Sequence, residues 1–435
     1  VYSRGGFIPY FAGDAFTAIF PAADERQSAE ALIQTAAMAR ALFQRRENRF
    51  GKFTIGLKFG LSYGEVEWGI VGSEQRSFYF RGQPVDSCAY CQTLAENQHI
   101  VVDGSLLALL EDHTIELAPV GEDAYRVISP ITIKGFPPPL ECDQLTREAA
   151  LAFLPEAVVD YKQEGEFRPV VTIFFSFTGI DNHEELDQFA DIVLRQTSTF
   201  SGYFKEIDFG DKGGLMTIFF GAPVAFENNV ERALEFLANL RDQLRPTQET
   251  HNWRFRAGMT VGTAYTGIVG GYERCQYACV GNRVNLAARL MTNAEWGEFF
   301  VDEEIKKTTS FRFLHTGNIK YKGIKGSVPT FKLLGRNFDV KPTYTGRLIA
   351  RDTELRQLVD FAKPLYRGQN AGLVYVFGEA GVGKSRLTFE MRKAILDGEK
   401  IQWFVCQADQ ILHKPFNPFI YFLQNYFEQS PEQAS

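Results

Sequence analysis

The sequence predicts an α/β (α+β) fold in which one helix-backed mixed sheet is built twice, followed by the start of a three-layer nucleotide-binding domain. Three observations predict it. First, Phe59-Gly60-Leu61-Ser62-Tyr63-Gly64 and Gly69-Ile70-Val71-Gly72 return as Ala257-Gly258-Met259-Thr260-Val261-Gly262 and Gly267-Ile268-Val269-Gly270, at a constant displacement of 198. Second, strand-like apolar runs alternate with helical ones in both copies, the pattern of helices laid over a sheet. Third, Gly378-Glu379-Ala380-Gly381-Val382-Gly383-Lys384-Ser385 is a complete GxxxxGKS loop between a strand-like and a helix-like run.

Copy one takes residues 1–138 and a bridging segment takes 139–168. Leu32, Ala36, Ala39 and Phe43 recur at helical spacing in copy one, and Pro137-Pro138-Pro139 marks its end. Leu145 to Phe153 reads as a helix in the bridge. Copy two takes 169–336: it opens on the strand-like Val170 to Phe175 and places a long helix at Val230, Leu234, Leu237, Leu240 and Leu244. Gly82-Gln83-Pro84-Val85-Asp86 matches Gly281-Asn282-Arg283-Val284-Asn285 with one residue inserted, and Lys134-Gly135 is echoed by Lys322-Gly323. Residues 337–345 form a linker and 346–435 an incomplete nucleotide-binding domain. In it Leu373 to Phe377 reads as a short buried strand, Arg386 to about Leu396 as a helix, and Ile401 to Cys406 as the next strand. Backbone amides of the loop at Gly378, Gly381 and Gly383 cradle phosphates, Lys384 reaches them and Ser385 helps bind magnesium. No apolar run ending in an acid follows before Ser435, so this segment is expected to bind nucleotide and hydrolyse little.

Composition narrows the class. A hydrophobic share of 45%, a charged share of 23% and 435 residues describe a soluble protein of two or three domains. A net charge of -7 argues against a nucleic-acid partner. The longest apolar runs, such as Met216 to Phe226, fall short of the ~20 residues a membrane span needs. No secretory signal opens the chain, and Val1 is not an initiator methionine, so the expectation is a cytoplasmic piece of a longer protein. Cys88 and Cys91 form a lone CxxC without a second pair at zinc spacing and read as half-buried thiols on a helix.

The most informative stretch is Gly281-Asn282-Arg283-Val284-Asn285-Leu286-Ala287-Ala288-Arg289, after the strand-like Gln276 to Val280. Asn285 and Arg289 are four apart, so a helix projects both from one face. An amide beside a guanidinium fork suits phosphate oxygens. Together with Gly267-Ile268-Val269-Gly270 and Tyr277, this stretch resembles the signature of class III nucleotidyl cyclases, and the resemblance extends over residues 1 to about 336. It implies ferredoxin-like copies paired head to tail about a pseudo-two-fold axis. It also implies internal attack of a ribose 3'-hydroxyl on the α-phosphorus, with Asn285 and Arg289 steadying ribose and transition state.

By the same resemblance two divalent cations, Mg2+ or Mn2+, are held by aspartates of copy one. Asp14, in Phe11-Ala12-Gly13-Asp14-Ala15-Phe16, is the second of these, and the first is expected upstream of Val1. In copy two the matching place is read as Phe174 to Thr178, without a carboxylate. Copy one conversely has Asp86 for the Asn and Tyr90 for the Arg, giving one competent and one degenerate site. Arg76 is a candidate for the triphosphate. The base-reading positions fall on Lys205 or Glu206 and on Ala278, with Cys279 beside it; Ala278 offers no polar group to a base edge. The tandem followed by an ATPase resembles soluble adenylyl cyclases and their bacterial relatives, with ATP both as substrate and as loop ligand. Tyr10 stands where those enzymes place a bicarbonate-binding Lys, which argues against bicarbonate control. The alternatives are a weakened, nucleotide-sensing scaffold and a guanylyl or mixed-base cyclase.

Overall fold

The computed structural model describes residues 1–13, 15–22, 24–44, 56–110, 115–129, 145–163, 165–210, 213–226, 228–271, 273–308, 310–324, 326–337, 348–378 and 382–396, plus isolated later positions; the side chains of 44, 247–250 and 396 are also outside the description. Contacts divide the chain into two compact units, Val1–Arg336 and Asn337–Ser435.

Copy one begins with the hairpin β1 (Phe11–Ala12) and β2 (Ala15–Phe16), then α1 (Glu25–Gln44). It continues through β3 (Phe59–Leu61), β4 (Glu67–Val71), β5 (Ser77–Arg81), α2 (Gln83–Leu94), β6 (Ile100–Asp103), α3 (Gly104–Ala108), β7 (Leu117–Gly121) and β8 (Ala124–Val127). The bridge carries α4 (Arg147–Phe153), capped by the Thr146 hydroxyl, and α5 (Glu156–Val159). Copy two follows as β9 (Glu166–Thr178), α6 (His183–Thr199), β10 (Tyr203–Gly210), β11 (Gly213–Phe220) and α7 (Asn229–Thr250). Then come β12 (Arg254–Gly270), β13 (Cys275–Val280), α8 (Asn282–Asn293), β14 (Phe299–Asp302), α9 (Glu303–Lys306), β15 (Phe311–Ile319) and β16 (Val328–Arg336). The last unit holds α10 (Asp352–Ala362) and α11 (Lys384–Leu396).

Copy two is one twisted mixed sheet in the order β10-β11-β9-β12-β14-β16-β15, with β13 paired to the second half of β12. β9 enters this sheet at Glu166, opposite Thr266, three residues before the boundary read from sequence. Beneath it Phe175, Phe177, Phe189, Phe255 and Phe299 are buried in mutual ring contact, a core of large apolar side chains that makes the sheet and α6 one body. In copy one the order β3-β6-β8-β7 repeats β12-β14-β16-β15 strand for strand. Its β4–β5 hairpin answers the second half of β12 with β13.

Phe174–Thr178, read as the place matching the first metal aspartate, forms the C-terminal part of β9, paired to β11 and β12. The β1–β2 hairpin corresponds to β10–β11, whose turn at Asp211 and Lys212 lies outside the described residues, as Asp14 does. In the last unit, Leu373–Phe377 is not a buried strand. Leu373, Tyr375 and Phe377 are 94%, 82% and 79% exposed, and no strand pairs with them among the described residues. An apolar run becomes a strand only when a neighbour takes up its backbone donors and acceptors. Half of the next expected strand, Ile401–Cys406, falls outside the described residues.

The helices α2 and α8 sit on their strands with no clearance. A Cβ on Gly60 would stand 2.1 Å from the Cys88 carbonyl oxygen, and one on Gly258 2.2 Å from that of Ala287. The same bodies meet at the same points in both copies, which places Asp86 at the Asn285 position and Tyr90 at the Arg289 position. Since backbone is the obstacle, Gly258→Ala or Gly60→Ala is expected to destabilise the first unit by about 1–3 kcal/mol through overpacking. Denaturant unfolding of the full chain checks this; unchanged midpoints would contradict the contact.

Candidate active site

Asn285 and Arg289 project from the outer face of α8, both exposed, while Val284, Leu286, Ala287, Leu290 and Met291 are buried beneath it. Neither outward side chain has a hydrogen-bond or ion-pair partner among the described residues, which leaves an amide and a guanidinium presented to a ligand. The helix start is pinned from below: Thr260 donates to the Arg283 carbonyl at 2.8 Å, and Arg283 Nη1 reaches Asp302 Oδ2 at 3.0 Å. Asp302 is 1% exposed and accepts from the Ile305 amide at the start of α9. Its burial raises the carboxyl to about 6, opposed by the Ile305 N–H and by Arg283.

Lys205 and Glu206 occur together at a β-bulge, where β10 slips register against β11 between Phe204 and Glu206. A bulge turns neighbouring side chains to one side and bends the strand, a device common beside functional sites. The two form an ion pair with little solvent exposure, and Lys205 Nζ also donates to the Phe11 carbonyl at 2.9 Å. Burial raises the Glu206 carboxyl, with Lys205 opposing; Asp208 is raised by burial too, with its hydrogen bond to Tyr10 opposing. Ala278 is buried on β13 opposite Gly267, and burial pushes the neighbouring Cys279 thiol up to about 12, so it stays protonated at neutral pH. Cys91 is buried likewise and raised to about 12.

The two copies meet reciprocally. Arg274, just ahead of β13, donates to the carbonyls of Ile8 at 3.0 Å and Pro9 at 2.6 Å. Gln276 accepts from the Phe11 amide at 3.3 Å and donates to the Phe11 carbonyl at 3.1 Å. The hairpin around Asp14 therefore lies against β10 and β13, and β13 leads straight into α8. At the other junction, Gly72 N donates to Asp187 at 2.7 Å, and Ser73 bonds Asp191 through amide and hydroxyl. Arg76 is exposed in that same turn, its amide donating to Ala152 of α4 at 2.8 Å. The described contacts tie Arg76 to α6 and the bridge rather than to the β10–β13–α8 group.

The second cleft is filled by its own side chains. Tyr79 lies opposite Gly69 as Ala278 lies opposite Gly267, so the residue inserted in copy two sits in the β12–β13 turn and Tyr79 holds the Ala278 position. Tyr79 is fully buried, with its hydroxyl 2.7 Å from Glu67 and 2.9 Å from His183 Nδ1. Arg81 forks onto both Glu67 oxygens at 2.9 Å and donates to the Ile180 and Asp181 carbonyls. The clamp at Arg274 and Gln276 and this plug were not found from sequence. Apart from Glu67, on the neighbouring strand, their partners are backbone groups or residues about a hundred or more positions away, with no local signal.

Among the described residues no group of three or more His, Cys, Asp or Glu side chains could hold a metal ion, and no helix is long and apolar enough to cross a membrane. Asp14, the expected ligand, lies outside the described residues. In the last unit Gly378 and Gly383 adopt φ of 156° and 94°, Lys384 Nζ donates to the Gly378 carbonyl at 2.8 Å, and Ser385 is exposed at the start of α11. Gly381 lies outside the described residues.

Comparisons with known proteins bear on both units. Residues 213–335 match the family described as the adenylate and guanylate cyclase catalytic domain, and residues 347–433 match the AAA ATPase domain. The chain is 24% identical over 483 residues to adenylate cyclase type 10 of Homo sapiens, covering 97% of this chain and 29% of that protein. It is likewise 24% identical over 450 residues to the Oryctolagus cuniculus enzyme of the same name, covering 89% of this chain and 27% of the relative. It thus spans less than a third of the length of these relatives. Adenylate cyclase 1 of Rhizobium meliloti is 27% identical over 175 residues, 38% of this chain and 25% of that protein. Among solved structures, the adenylyl cyclase CyaB from P. aeruginosa aligns with 41% of this chain and 100% of its own, at 18% identity and a TM-score of 0.38.

The buried Asp302 carries a pH signature. Its native carboxyl titrates near 6, above its ordinary 3.8, so the native state holds the proton more tightly than the unfolded chain. Stability contributed by this group is therefore expected to fall as pH rises from about 4 to about 6. Asp302→Asn keeps a cap for α9 and removes the titration. Denaturant unfolding of both proteins at pH 4.5 to 7 should show a shallower decline in the variant; parallel profiles would contradict it.

Proposed function

We propose a reaction for a chain that carries an adenylate and guanylate cyclase catalytic domain at residues 213–335 and an AAA ATPase domain at residues 347–433: it converts ATP to 3',5'-cyclic AMP and pyrophosphate at one site between its two copies. The supporting observation is the meeting of copy one's β1–β2 hairpin with β10 and β13, from which α8 carries Asn285 and Arg289 into the open. At the other junction Tyr79 is buried and paired to Glu67 and His183.

Cyclisation needs the 3'-hydroxyl held in line with the α-phosphorus and charge neutralised as pyrophosphate departs. In this reading Asn285 orients the ribose by hydrogen bonding. Arg289 sets its fork on the α-phosphoryl oxygens as negative charge grows there. Asp14 would help hold Mg2+ or Mn2+, which would supply hydroxyl activation and charge neutralisation. The base lies beside Lys205, Glu206 and Ala278, with adenine favoured by the names of the relatives. Ala278 leaves one base edge without a side-chain partner, which favours a mixed-base preference as the second reading. The nucleotide loop at Gly378, Gly381, Gly383, Lys384 and Ser385 binds ATP and couples its occupancy to the cyclase. The chain is assigned to the cytoplasm.

Chromatography of reactions with ATP or GTP and Mn2+ tests this. Arg289→Ala and Asn285→Ala are each expected to slow cyclic product formation by about 10²–10³-fold, as loss of a transition-state donor does. Product formation that survives Arg289→Ala unchanged would refute the assignment, and more cyclic GMP than cyclic AMP would select the second reading.

A further inference from the structure

We propose that Arg274 and Gln276 are positioning residues that set copy one's β1–β2 hairpin against the strand that leads into α8. Neither belongs to the groups assigned to nucleotide or metal. Both stand at the base of β13 and grip copy one more than 260 residues earlier in sequence. What they grip is backbone. Arg274 spends Nε and one terminal nitrogen on the carbonyls of Ile8 and Pro9, and its guanidinium lies 5.7 Å from the Phe11 ring centre. Gln276 bonds both the amide and the carbonyl of Phe11, as a neighbouring strand would. Lys205 adds a further donor to the same Phe11 carbonyl.

The consequence is geometric. The run 8–11 leads directly into the β1–β2 hairpin. The strand holding that run continues through Val280 and Gly281 into α8. One short strand therefore registers the hairpin from copy one with the helix from copy two. A displacement of about 1 Å between reacting groups can lower a rate by 10²-fold without weakening ground-state binding, so the effect should fall on kcat.

The test uses the full chain and Arg274→Ala, Gln276→Ala, the double variant and Arg274→Lys. In hydrogen exchange, the peptide spanning 6–16 should exchange about tenfold faster in the double variant, reporting local opening. In the cyclase assay, kcat should fall by about tenfold or more in Arg274→Ala while KM for ATP moves less than about threefold. Arg274→Lys, with one point donor for two carbonyls, should fall between wild type and Arg274→Ala. Unchanged exchange, or an unchanged kcat, overturns the proposal, as does a loss confined to KM. The kinetic arm rests on the cyclisation reading and the exchange arm does not. If the wild-type chain forms no cyclic product, that reading fails and exchange alone decides this one.

Discussion

The grip of copy two on the main chain of residues 8–11 is the constraint from which the rest of the first unit takes its arrangement. Its donors are a planar guanidinium, an amide and an ammonium; its acceptors are carbonyls that every residue type provides. Such a junction fixes where the backbone runs while leaving the side chains of that run free for other work. Charged donors on backbone acceptors are also directional, which matters more for a turn that must face a helix than for a surface that need only stick.

A second constraint acts below the site. Gly258 lets α8 lie on β12 with backbone touching backbone, and Thr260 and the Arg283–Asp302 pair hold the first turn of that helix. The outward face, with Asn285 and Arg289, thus belongs to a helix that has little freedom to tilt or slide. Copy one keeps the same glycine contact at Gly60 and the same capping aspartate at Asp103, there bonded by Ser62 instead of an arginine.

The two clefts show how one scaffold supports opposite outcomes. Where copy two has Ala278, copy one has Tyr79, and the larger ring fills the space a planar ligand would need. Its hydroxyl is satisfied by Glu67 and His183, and Arg81 completes the set with Glu67 and two carbonyls. A buried polar group of this size is tolerable only when each member is paired. The plug therefore ties the copies together through paired groups, while Asn285 and Arg289 of α8 stay exposed.

Much was legible in the sequence. The repeat, the helix bearing Asn285 and Arg289, and the glycines beneath it are local patterns: spacing, periodicity and residues lacking a Cβ leave marks in any chain. The phosphate loop was legible for the same reason. The strand expected at Leu373–Phe377 failed because strand formation depends on a neighbour, which an apolar run does not reveal about itself. Nor could sequence show that Lys205 turns at a bulge to the Phe11 carbonyl, or that Arg274 and Gln276 hold a segment from the other copy. The chain by itself determined which elements form, because each turn of helix or alternation of strand is settled within a few residues. Which of them meet was decided only by tertiary structure, because the partners are backbone groups that carry no residue code.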